Sequence, residues 1–340
     1  MNPDNSTITL DHGAGGLASQ KLLSRLLRHL PSQQENALED AAALTVPGLS
    51  GRLVFSTDSY VVEPIFFPGG DIGKLAVHGT VNDLAMRGAA PLCLSLAMIL
   101  EEGFLLADLE RITKSIGEAS RDAAVSIVTG DTKVVPKGKA DKIFITTAGI
   151  GLVDATVDIG AAGARPGDAV LISGAIGDHG ITIMSQRAGI NLQGDLRSDT
   201  MPLHRLVARL IGEFPGAIHV LRDPTRGGVA TALNELATAS GVAVELDEES
   251  LPINPAVRSA CAVLGLEPLW LANEGKCLLF CDGDKAEAIL TAMRGMEEGL
   301  QAAIIGRVLP EASARVALRT ALGGRRILAP LHGQPLPRIC

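Results

Sequence analysis

The sequence predicts a two-domain protein that combines α/β and α+β architecture. The chain has 340 residues, and at roughly 150 residues per domain this length favours two domains. Segments rich in β-forming residues alternate with segments of helical periodicity, as expected for these fold classes. Residues 154–168, DATVDIGAAGARPGD, are small, contain several glycines and end in a Pro-Gly-Asp turn signal. The domain boundary is therefore predicted there.

The first half of the chain begins with an amphipathic helix, predicted over 18–30 from leucines on one helical face: Leu22, Leu23, Leu26, Leu27 and Leu30. Runs of β-forming residues then predict four strands, at Leu53–Ser56, Leu92–Leu100, Val125–Thr129 and Ile143–Thr147. Helical patterns fill 71–87 and 105–123 between these strands.

The second half alternates in the same way. Strands are predicted at Ala169–Ser173 and 277–281, and helices at 179–188, 202–212, 228–235 and 285–296. Pro202 suits the first turn of its helix, and Asp284 and Glu287 have the spacing of a capping box. The final segment, ALGGRRILAPLHGQPLPRIC, is rich in Gly and Pro and favours an extended arm over a packed element.

Charge and composition argue against several classes of protein. Lys and Arg number 30 against 38 Asp and Glu, the opposite of the basic surface that binds nucleic acid. The five cysteines form no CxxC motif, which favours reduced thiols and a cytoplasmic location. The N-terminus lacks the features of a signal peptide, and the apolar run Leu92–Leu100 is far shorter than the ~20 residues of a membrane span. We therefore expect a cytoplasmic protein that contacts neither membrane nor nucleic acid.

Four aspartates each follow or end an apolar segment: Asp40, Asp58, Asp83 and Asp131. Carboxylates at strand ends lie where α/β folds bind ligands, and hard oxygen ligands suit Mg²⁺ that holds nucleotide phosphates. Taken singly, each aspartate is more often a helix cap or a turn residue. Spacing alone does not establish that the four converge.

Glycine-rich loops form a second group of candidates: HGAGG at 12–16, FFPGGDIG at 66–73, SGAIGDHG at 173–180 and PTRGG at 224–228. Backbone amides exposed before a helix can bind an anion. The Walker and dinucleotide-binding glycine patterns are both absent from the sequence. Each loop taken alone is more often a tight turn.

Two short motifs carry further candidates. In Asp223-Pro-Thr-Arg-Gly-Gly, the aspartate is either an ordinary N-cap or part of a phosphate or metal contact. In the NEGK motif at 273–276, Glu274 is either a surface-turn residue or a catalytic base that glycine allows to approach a substrate.

The terminal Cys340 lies at the end of the Pro-rich arm. A prenylation motif is excluded, because it needs the cysteine four residues from the end. An exposed free thiol is usually a liability, so we interpret Cys340 as a thiol carried between sites in preference to an accidental terminal residue.

Seven segments together resemble a known family: AGG at 14–16, STDSYVVEPIFFPGGDIGKLAVHGTVNDLAMRGAAP at 56–91, VTGDTKVV at 128–135, ISGAIGDHG at 172–180, DPTRGGVATALNE at 223–235, ANEGK at 272–276 and PRIC at 337–340. They are similar to the HypE family of NiFe-hydrogenase maturation proteins. That family shares part of these motifs with aminoimidazole ribonucleotide synthetase, selenophosphate synthetase and thiamine-monophosphate kinase. The resemblance spans essentially the whole chain, and PRIC is its most specific part. One departure is His78, where the family pattern has Asn.

The resemblance implies an aminoimidazole ribonucleotide synthetase-like fold. An N-terminal ATP-binding and dimerisation domain would occupy 1–155, an α+β domain 165–322, and a flexible tail carrying Cys340 would occupy 323–340. The N-terminal domain would form a homodimer through its sheet. ATP would bind between the domains or across the dimer.

The resemblance also implies a reaction and its partners. The family's terminal cysteine receives a carbamoyl group from the carbamoyltransferase HypF, whose donor is carbamoyl phosphate. ATP then drives dehydration of the S-carbamoyl group to a thiocyanate. The cyanide passes to iron on the HypC–HypD scaffold complex, as a ligand for the hydrogenase. ATP and Mg²⁺ are the implied cofactors.

Roles for individual residues follow from the same resemblance. Cys340 would carry the carbamoyl group, Glu274 would act as the base, and Lys133 would orient the carbamoyl group or stabilise its oxygen. The implied metal ligands are Asp40, Asp58, Asp83, Asp131 and Asp223. These five residues would also bind ATP, together with Asn82, Thr132, Thr225 and Arg226.

Two other classes of function stay open at this point. One is an ATP-dependent synthetase or kinase that acts on a free small molecule, and the other is a non-catalytic scaffold in metallocentre assembly. Selenophosphate synthetase would have a reactive Cys or selenocysteine near its N-terminus, where this chain has none of its five cysteines: Cys93, Cys261, Cys277, Cys281 and Cys340. A zinc or iron site is not expected, since His12, His78 and His179 lack ligand-like pairing with the cysteines.

Overall fold

Two β-sheets, one in each half of the chain, organise the structure. The computed structural model describes residues 7–13, 16–27, 39–190, 196–311, 313–330 and 338–340. None of the helices within these ranges is long and apolar enough to cross a membrane.

The N-terminal domain is built on a five-stranded sheet of order β1-β2-β7-β5-β6. Only β5 and β6 run parallel to each other. Its strands are β1 (Ala42–Leu44), β2 (Arg52–Tyr60), β5 (Ala90–Glu101), β6 (Ser126–Val135) and β7 (Ile143–Val153). A small hairpin and three helices complete it: β3 (Phe66–Phe67), β4 (Gly70–Asp71), α1 (Leu17–Leu27), α2 (Ile72–Met86) and α3 (Leu106–Asp122).

The two faces of this sheet differ in burial. Helix α2 packs on the inner face, against β2, β5 and β7, and α3 packs on α2. Side chains alternate along each strand, so Val54 and Ile145 point into the core while Phe55 and Ile99 are exposed on the outer face. The outer face is therefore a largely apolar surface that none of the helices in the described ranges covers.

The C-terminal domain is built on a seven-stranded sheet of order β14-β13-β10-β12-β8-β11-β9. Its strands are β8 (Ala169–Ile172), β9 (Ile218–Arg222), β10 (Ala243–Asp247), β11 (Leu278–Cys281), β12 (Ala303–Leu309), β13 (Val316–Arg319) and β14 (Arg325–Ile327). Its helices are α4 (Asp178–Arg187), α5 (His204–Glu213), α6 (Gly228–Ser240), α7 (Pro255–Leu264) and α8 (Ala286–Arg294). One core forms between α6 and the sheet, and a second lies where α5 and α8 cover part of the other face.

A third apolar cluster joins the two domains. It contains Ile65 and Phe67 from the N-terminal domain and Ile181 and Leu271 from the C-terminal domain. Ile339, next to the end of the chain, is buried in the same cluster. The domains therefore share part of their hydrophobic core.

Every strand and helix predicted from the sequence overlaps an observed element, although β6 and β7 extend well beyond the predicted ends. The predicted helix over 18–30 is described as far as Leu27, and its last three positions lie outside the described residues. The predicted capping box is wrong: Lys285 is the N-cap of α8 and makes no side-chain cap, since Asp284 belongs to a preceding 3-10 turn.

The arm predicted at 323–340 is also wrong in its first part. Residues 325–327 form β14, which pairs with β13 through a turn at Gly323 and Gly324, and Leu328 is buried. The glycines serve a hairpin turn and do not make a flexible tail. Residues 331–337 of the predicted arm lie outside the described residues, whereas Arg338–Cys340 are packed against the protein.

Candidate active site

A polar cavity of about 260 Å³ opens between the two domains. Thr225 and Arg226 form part of its wall. The wall also includes four aspartates singled out in the sequence: Asp40, Asp58, Asp83 and Asp223. Residues that are far apart in the sequence thus converge on one acidic cavity.

Local structure brings three of these aspartates to the cavity. Asp58 lies on the inner side of β2, and α2 crosses that side so that Asp83 lies in its last turns. Ser56 Oγ donates a hydrogen bond of 2.6 Å to Asp83 Oδ2 and holds the carboxyl in place. Asp223 directly follows β9 and reaches the cavity from the other domain.

Two glycines allow the segment after Asp223 to turn sharply into α6. Gly227 and Gly228 have φ of 78° and 64°, a backbone region that favours glycine. A Cβ at Gly228 would lie 2.5 Å from the carbonyl oxygen of Leu271. The close approach fixes Thr225 and Arg226 at the cavity wall.

Burial and mutual repulsion raise the pKa of the clustered carboxyls. Burial is the main cause for Asp40 and Asp83, whose pKa lies well above the usual value, and the charge of Asp223 raises both further. Burial also raises the pKa of Asp223 itself to about 6. Arg222 contacts Asp40 Oδ1 at 2.9 Å and Glu235 Oε2 at 2.7 Å, so one guanidinium serves two carboxylates.

This donor set fits a hard divalent cation such as Mg²⁺. Carboxylate oxygens are the ligands that Mg²⁺ prefers, and Mg²⁺ sites commonly use a few carboxylates together with substrate phosphates. A cation held by Asp40, Asp58, Asp83 and Asp223 would relieve the repulsion that raises their pKa values.

The NEGK motif lies beside the acidic cavity and is held by Asn273. The Nδ2 atom of Asn273 donates to the carbonyls of Pro224 and Leu271 at 3.0 Å each, and its Oδ1 atom accepts from the amide of Gly177 at 2.8 Å. One buried side chain therefore ties the glycine loop before α4 to the Asp223 loop and to Glu274.

Glu274 is buried, and its Oε1 atom has no hydrogen-bond partner among the described residues. Its amide donates to Asp199 Oδ1 at 3.1 Å. Burial raises the pKa of Glu274 well above the usual value, and the charges of Asp223 and Asp199 add to this effect. A carboxyl with raised pKa and a free oxygen is suited to proton transfer.

The side chain of Asn82 bridges the two domains, and its predicted role in ATP binding stays a prediction. Its Nδ2 atom donates to the carbonyls of Met201 at 3.0 Å and Glu274 at 3.4 Å, and its Oδ1 atom accepts from the amide of Leu203 at 2.8 Å. Its polar atoms are satisfied by backbone, so the structure gives it a positioning role next to the site.

Cys340 reaches the same region from the end of the chain. The amide of Val61 donates to the carbonyl of Cys340 at 3.0 Å. Cys340 is half-buried, and the charges of Glu274 and Arg226 act on its thiol. Burial, followed by the charge of Glu274, raises the pKa of Cys340, while Arg226 lowers it. The terminal thiol is therefore within electrostatic range of the buried carboxyl of Glu274 and of Arg226, which lines the acidic cavity.

Asp131, Thr132 and Lys133 do not join this group within one chain. Asp131 pairs across the sheet with Ala97, and Lys133 with Ile99, so both aspartate and lysine point to the outer face. Their side chains are 62% and 69% exposed and form an ion pair of 2.8 Å. Asp58 lies on the inner face, and β6 is an edge strand with β7 and β5 between it and β2. Asp131 therefore does not share a cavity with the other four aspartates of its own chain, and its role in metal and ATP binding stays a prediction.

Sequence reasoning missed Asp199 and did not use Lys276. Lys276 Nζ lies 3.4 Å from Asp199 Oδ2, and both side chains are buried. A Cβ at Gly275 would lie 1.9 Å from the carbonyl oxygen of Asp199, so the glycine permits the contact. Gly275 and Lys276 were visible in the NEGK motif, but no local signal marks Asp199.

One group of three residues among those described resembles a metal site: Asp168, His219 and Asp282. Nδ1 of His219 lies 2.9 Å from Asp168 Oδ2, and its Nε2 lies 3.0 Å from Nη1 of Arg165. Arginine only donates, so Nε2 accepts and Nδ1 donates to the aspartate. The histidine lone pair is occupied, and the group is explained as a buried polar network.

Comparisons with known proteins identify the relatives of this chain. Residues 38–153 match the N-terminal domain of the AIR synthase related protein family, and residues 165–319 match its C-terminal domain. A relative from Cupriavidus necator, carbamoyl dehydratase HypE, is 50% identical over 341 residues, which cover 100% of this chain and 97% of the relative.

Two solved structures are similar over most of the chain. Hydrogenase maturation protein HypE in complex with ATP is 51% identical, with a TM-score of 0.82, and the match covers 98% of this chain and 100% of that one. A HypE–HypF complex contains a chain that is 46% identical, with a TM-score of 0.85, and the match covers 91% of this chain and 99% of that one.

Proposed function

Since this chain belongs to the AIR synthase related family, and within it to the HypE carbamoyl dehydratases, we propose that it dehydrates an S-carbamoyl group on its own Cys340 to a thiocyanate. ATP drives the reaction, and the product supplies cyanide ligands for the iron of a NiFe-hydrogenase. The observation that carries the proposal is the docked end of the chain, which holds Cys340 within range of the charges of Glu274 and Arg226, and Arg226 lines the acidic cavity.

The first step activates a poor leaving group. The carbamoyl oxygen attacks the γ-phosphorus of ATP, the bond from that phosphorus to the bridging oxygen breaks, and ADP leaves. The nitrogen loses one proton, which gives an O-phosphorylated imidate on the sulfur of Cys340. Arg226 is placed to neutralise the charge that develops near the sulfur and oxygen.

The second step forms the nitrile. The remaining nitrogen proton is removed as the C–O bond breaks, phosphate leaves and the C≡N bond forms. Glu274 is the proposed base, because its Oε1 atom is buried and without a partner among the described residues, and because a raised pKa strengthens the carboxylate as a proton acceptor.

The acidic cavity is the proposed site of the nucleotide phosphates. Mg²⁺ bound by Asp40, Asp58, Asp83 and Asp223 would neutralise phosphate oxygens of ATP. Thr225 and Arg226, on the loop before α6, would contact the same phosphates.

A homodimer is proposed to complete the site. The outer face of the N-terminal sheet carries exposed apolar side chains together with Asp131 and Lys133. Packing this face against a second copy would bury it and would present Asp131 and Lys133 to the other chain. Lys133 would then stabilise the carbamoyl oxygen across the interface.

The proposed partners follow the order of the reaction. HypF would load Cys340 from carbamoyl phosphate, in line with the HypE–HypF complex to which this chain is similar. The HypC–HypD complex would receive the cyanide. These steps use a reduced thiol, which agrees with a proposed cytoplasmic location.

Intact-mass measurement tests the proposal. The purified chain is incubated with carbamoyl phosphate, ATP, Mg²⁺ and HypF. The expected result is a gain of one carbamoyl group at Cys340, followed by loss of one water. Cys340→Ala should abolish both changes and leave ATP binding intact, whereas replacing Cys93, Cys261, Cys277 or Cys281 should not. An adduct on any of those four cysteines would overturn the proposal. ATP turnover without an adduct would favour a kinase or synthetase. The absence of both ATP turnover and an adduct would favour a non-catalytic scaffold.

A further inference from the structure

The last three residues are held by the N-terminal domain as a short extended segment. The amides of Val61 and Glu63 donate to the carbonyls of Cys340 and Arg338 at 3.0 Å and 3.3 Å. The Arg338 side chain in turn donates to the carbonyl of Val61 at 2.8 Å and pairs with Asp141. These contacts use mainly backbone groups that follow β2.

The C-terminal domain holds the same segment from the other side. Nε2 of the buried His179 lies 2.7 Å from the carbonyl oxygen of Ile339, and its Nδ1 lies 2.7 Å from Ser198 Oγ. A carbonyl only accepts, so Nε2 carries the proton and Nδ1 accepts from the serine hydroxyl. Arg187, from the last turn of α4, donates to the carbonyls of Arg338 and Glu63.

The side chain of Ile339 provides an apolar anchor. It is 3% exposed and lies in the cluster that the two domains share. Burial there is favourable only while the segment is docked. Neither this anchor nor the hydrogen bonds of His179 and Arg187 to backbone carbonyls involves the sulfur of Cys340.

We propose that His179, Arg187 and Ile339 form a docking lock, whose strength divides the terminal thiol between its own active site and an external transfer enzyme. The three are positioning residues, since they act on the backbone and core and not on the reacting atoms. The proposal rests on the proposed function: loading requires the released segment, and dehydration requires the docked one. A weaker lock therefore speeds loading and slows dehydration.

Opposite changes in the two half-reactions distinguish the lock from a general structural role. A variant that merely damages the fold would slow both. Arg187→Ala is the main variant, because it leaves the terminal sequence that HypF would recognise untouched. Ile339→Ala is the second, and Arg187→Lys retains a donor and should fall between Arg187→Ala and the parent. Arg209→Ala is the matched control, because it removes a half-exposed helix arginine whose ion pair is with Glu213 in the same helix.

The first measurement needs no partner. Full-length chains are alkylated with iodoacetamide, and the rate at Cys340 is followed by peptide mass spectrometry with half-buried Cys93 as internal reference. Both lock variants should react at Cys340 about tenfold faster than the parent, with Cys93 unchanged, since 1.4 kcal/mol of lost docking corresponds to tenfold in the released population. Equal rates at Cys340 in parent and variants would overturn the lock.

The second measurement separates the two half-reactions. Loading is followed with carbamoyl phosphate, ATP and HypF, and dehydration in a single turnover of the loaded chain. Arg187→Ala should load severalfold faster and dehydrate severalfold more slowly than Arg209→Ala. Slowing of both loading and dehydration would overturn the proposal that the docking lock controls how the thiol is divided between the docked and released states. If the parent is never carbamoylated while both lock variants still alkylate faster, the proposed function fails and docking by these residues stands.

Discussion

Two charged depressions on this molecule differ in how their charges are balanced. The larger, about 580 Å³, lies on the uncovered part of the C-terminal sheet and is lined by Glu245, Asp247 and three arginines. The smaller, about 260 Å³, is the acidic cavity between the domains. The larger depression is wide and charged, but nothing proposed for the reaction lies in it.

In the larger depression the charges neutralise one another. Arg307 and Arg325 contact the two oxygens of Glu245 at 3.1 Å and 2.7 Å, and Arg319 contacts Asp247 at 2.5 Å. In the acidic cavity, carboxyls repel one another and their pKa values rise. The comparison teaches that buried carboxyls whose charges are not fully compensated indicate a ligand-binding site better than the volume of a depression does.

The largest expected effect separates the two buried glutamates. Glu274→Gln is nearly isosteric and cannot accept a proton, so dehydration of the loaded chain should slow by at least about a hundredfold, while ATP binding and carbamoylation persist. Glu245→Gln in the larger depression should leave the rate unchanged. Single-turnover formation of the thiocyanate is the measurement, and normal accumulation in Glu274→Gln would place the base elsewhere.

A second test compares aspartates. Asp83→Asn and Asp223→Asn should each weaken Mg²⁺-dependent ATP binding by about tenfold to a hundredfold, because each removes one anionic ligand at about 1.4–2.7 kcal/mol. Asp247→Asn is the matched control and should bind like the parent. Calorimetric titration with and without Mg²⁺ measures the effect. Unchanged affinity in both cavity variants would remove these residues from the site.

A third test asks whether Lys133, on the outer face, acts in the active site of its own chain or in that of the second copy. Lys133→Ala and Glu274→Gln are each expected to be inactive alone. If Lys133 serves the second copy, a 1:1 mixture refolded together should regain about a quarter of parental activity, since half the dimers are mixed and each has one intact site. No recovery, with mixed dimers present by native mass spectrometry, would assign Lys133 to its own chain or to no site.

The smallest effect concerns stability. The raised pKa of Asp83 means that, below this pKa, the metal-free native state binds a proton that the unfolded chain releases, so parental stability rises as pH falls through that pKa. In EDTA at a pH above the pKa of Asp83, Asp83→Asn should unfold with a free energy about 1–2 kcal/mol higher than the parent, and the difference should shrink as the pH falls through that pKa. The buried residues His78 and His179 are present in both proteins, so their contributions cancel in the difference between the two free energies of unfolding. Urea unfolding measures both free energies, and a difference that does not depend on pH would contradict the raised pKa of Asp83 as its cause.

The sequence predicted what depends on local pattern. Asp58, Asp83 and Asp223 stand out because carboxylates follow or end apolar segments, and Glu274 because glycine follows it. The position of Asp131 depends on strand order and on which face of β6 points outward, and neither is encoded within ten residues. Asp199 reaches the site through a contact with the distant Gly275, so only the assembled fold reveals it.

The prediction of an extended tail over 323–340 is wrong in its first part for a related reason. Gly323 and Gly324 are equally compatible with a flexible tail and with a hairpin turn, and the choice depends on whether Arg325–Ile327 find β13 as a partner. The resemblance to a family with a carrier cysteine favoured a long flexible tail. The described end of the chain is instead held by His179, Arg187 and a buried Ile339.

The apolar cluster shared by the two domains bears on how the molecule melts. Ile65 and Phe67 lose much of their cover if Ile181 and Leu271 move away, so neither half keeps a complete interior when the other unfolds. Two halves that depend on each other in this way behave as one cooperative unit. A scanning calorimeter should therefore record one heat-absorption peak whose van't Hoff and calorimetric enthalpies agree. A gene cut between the halves should yield fragments that aggregate when produced singly.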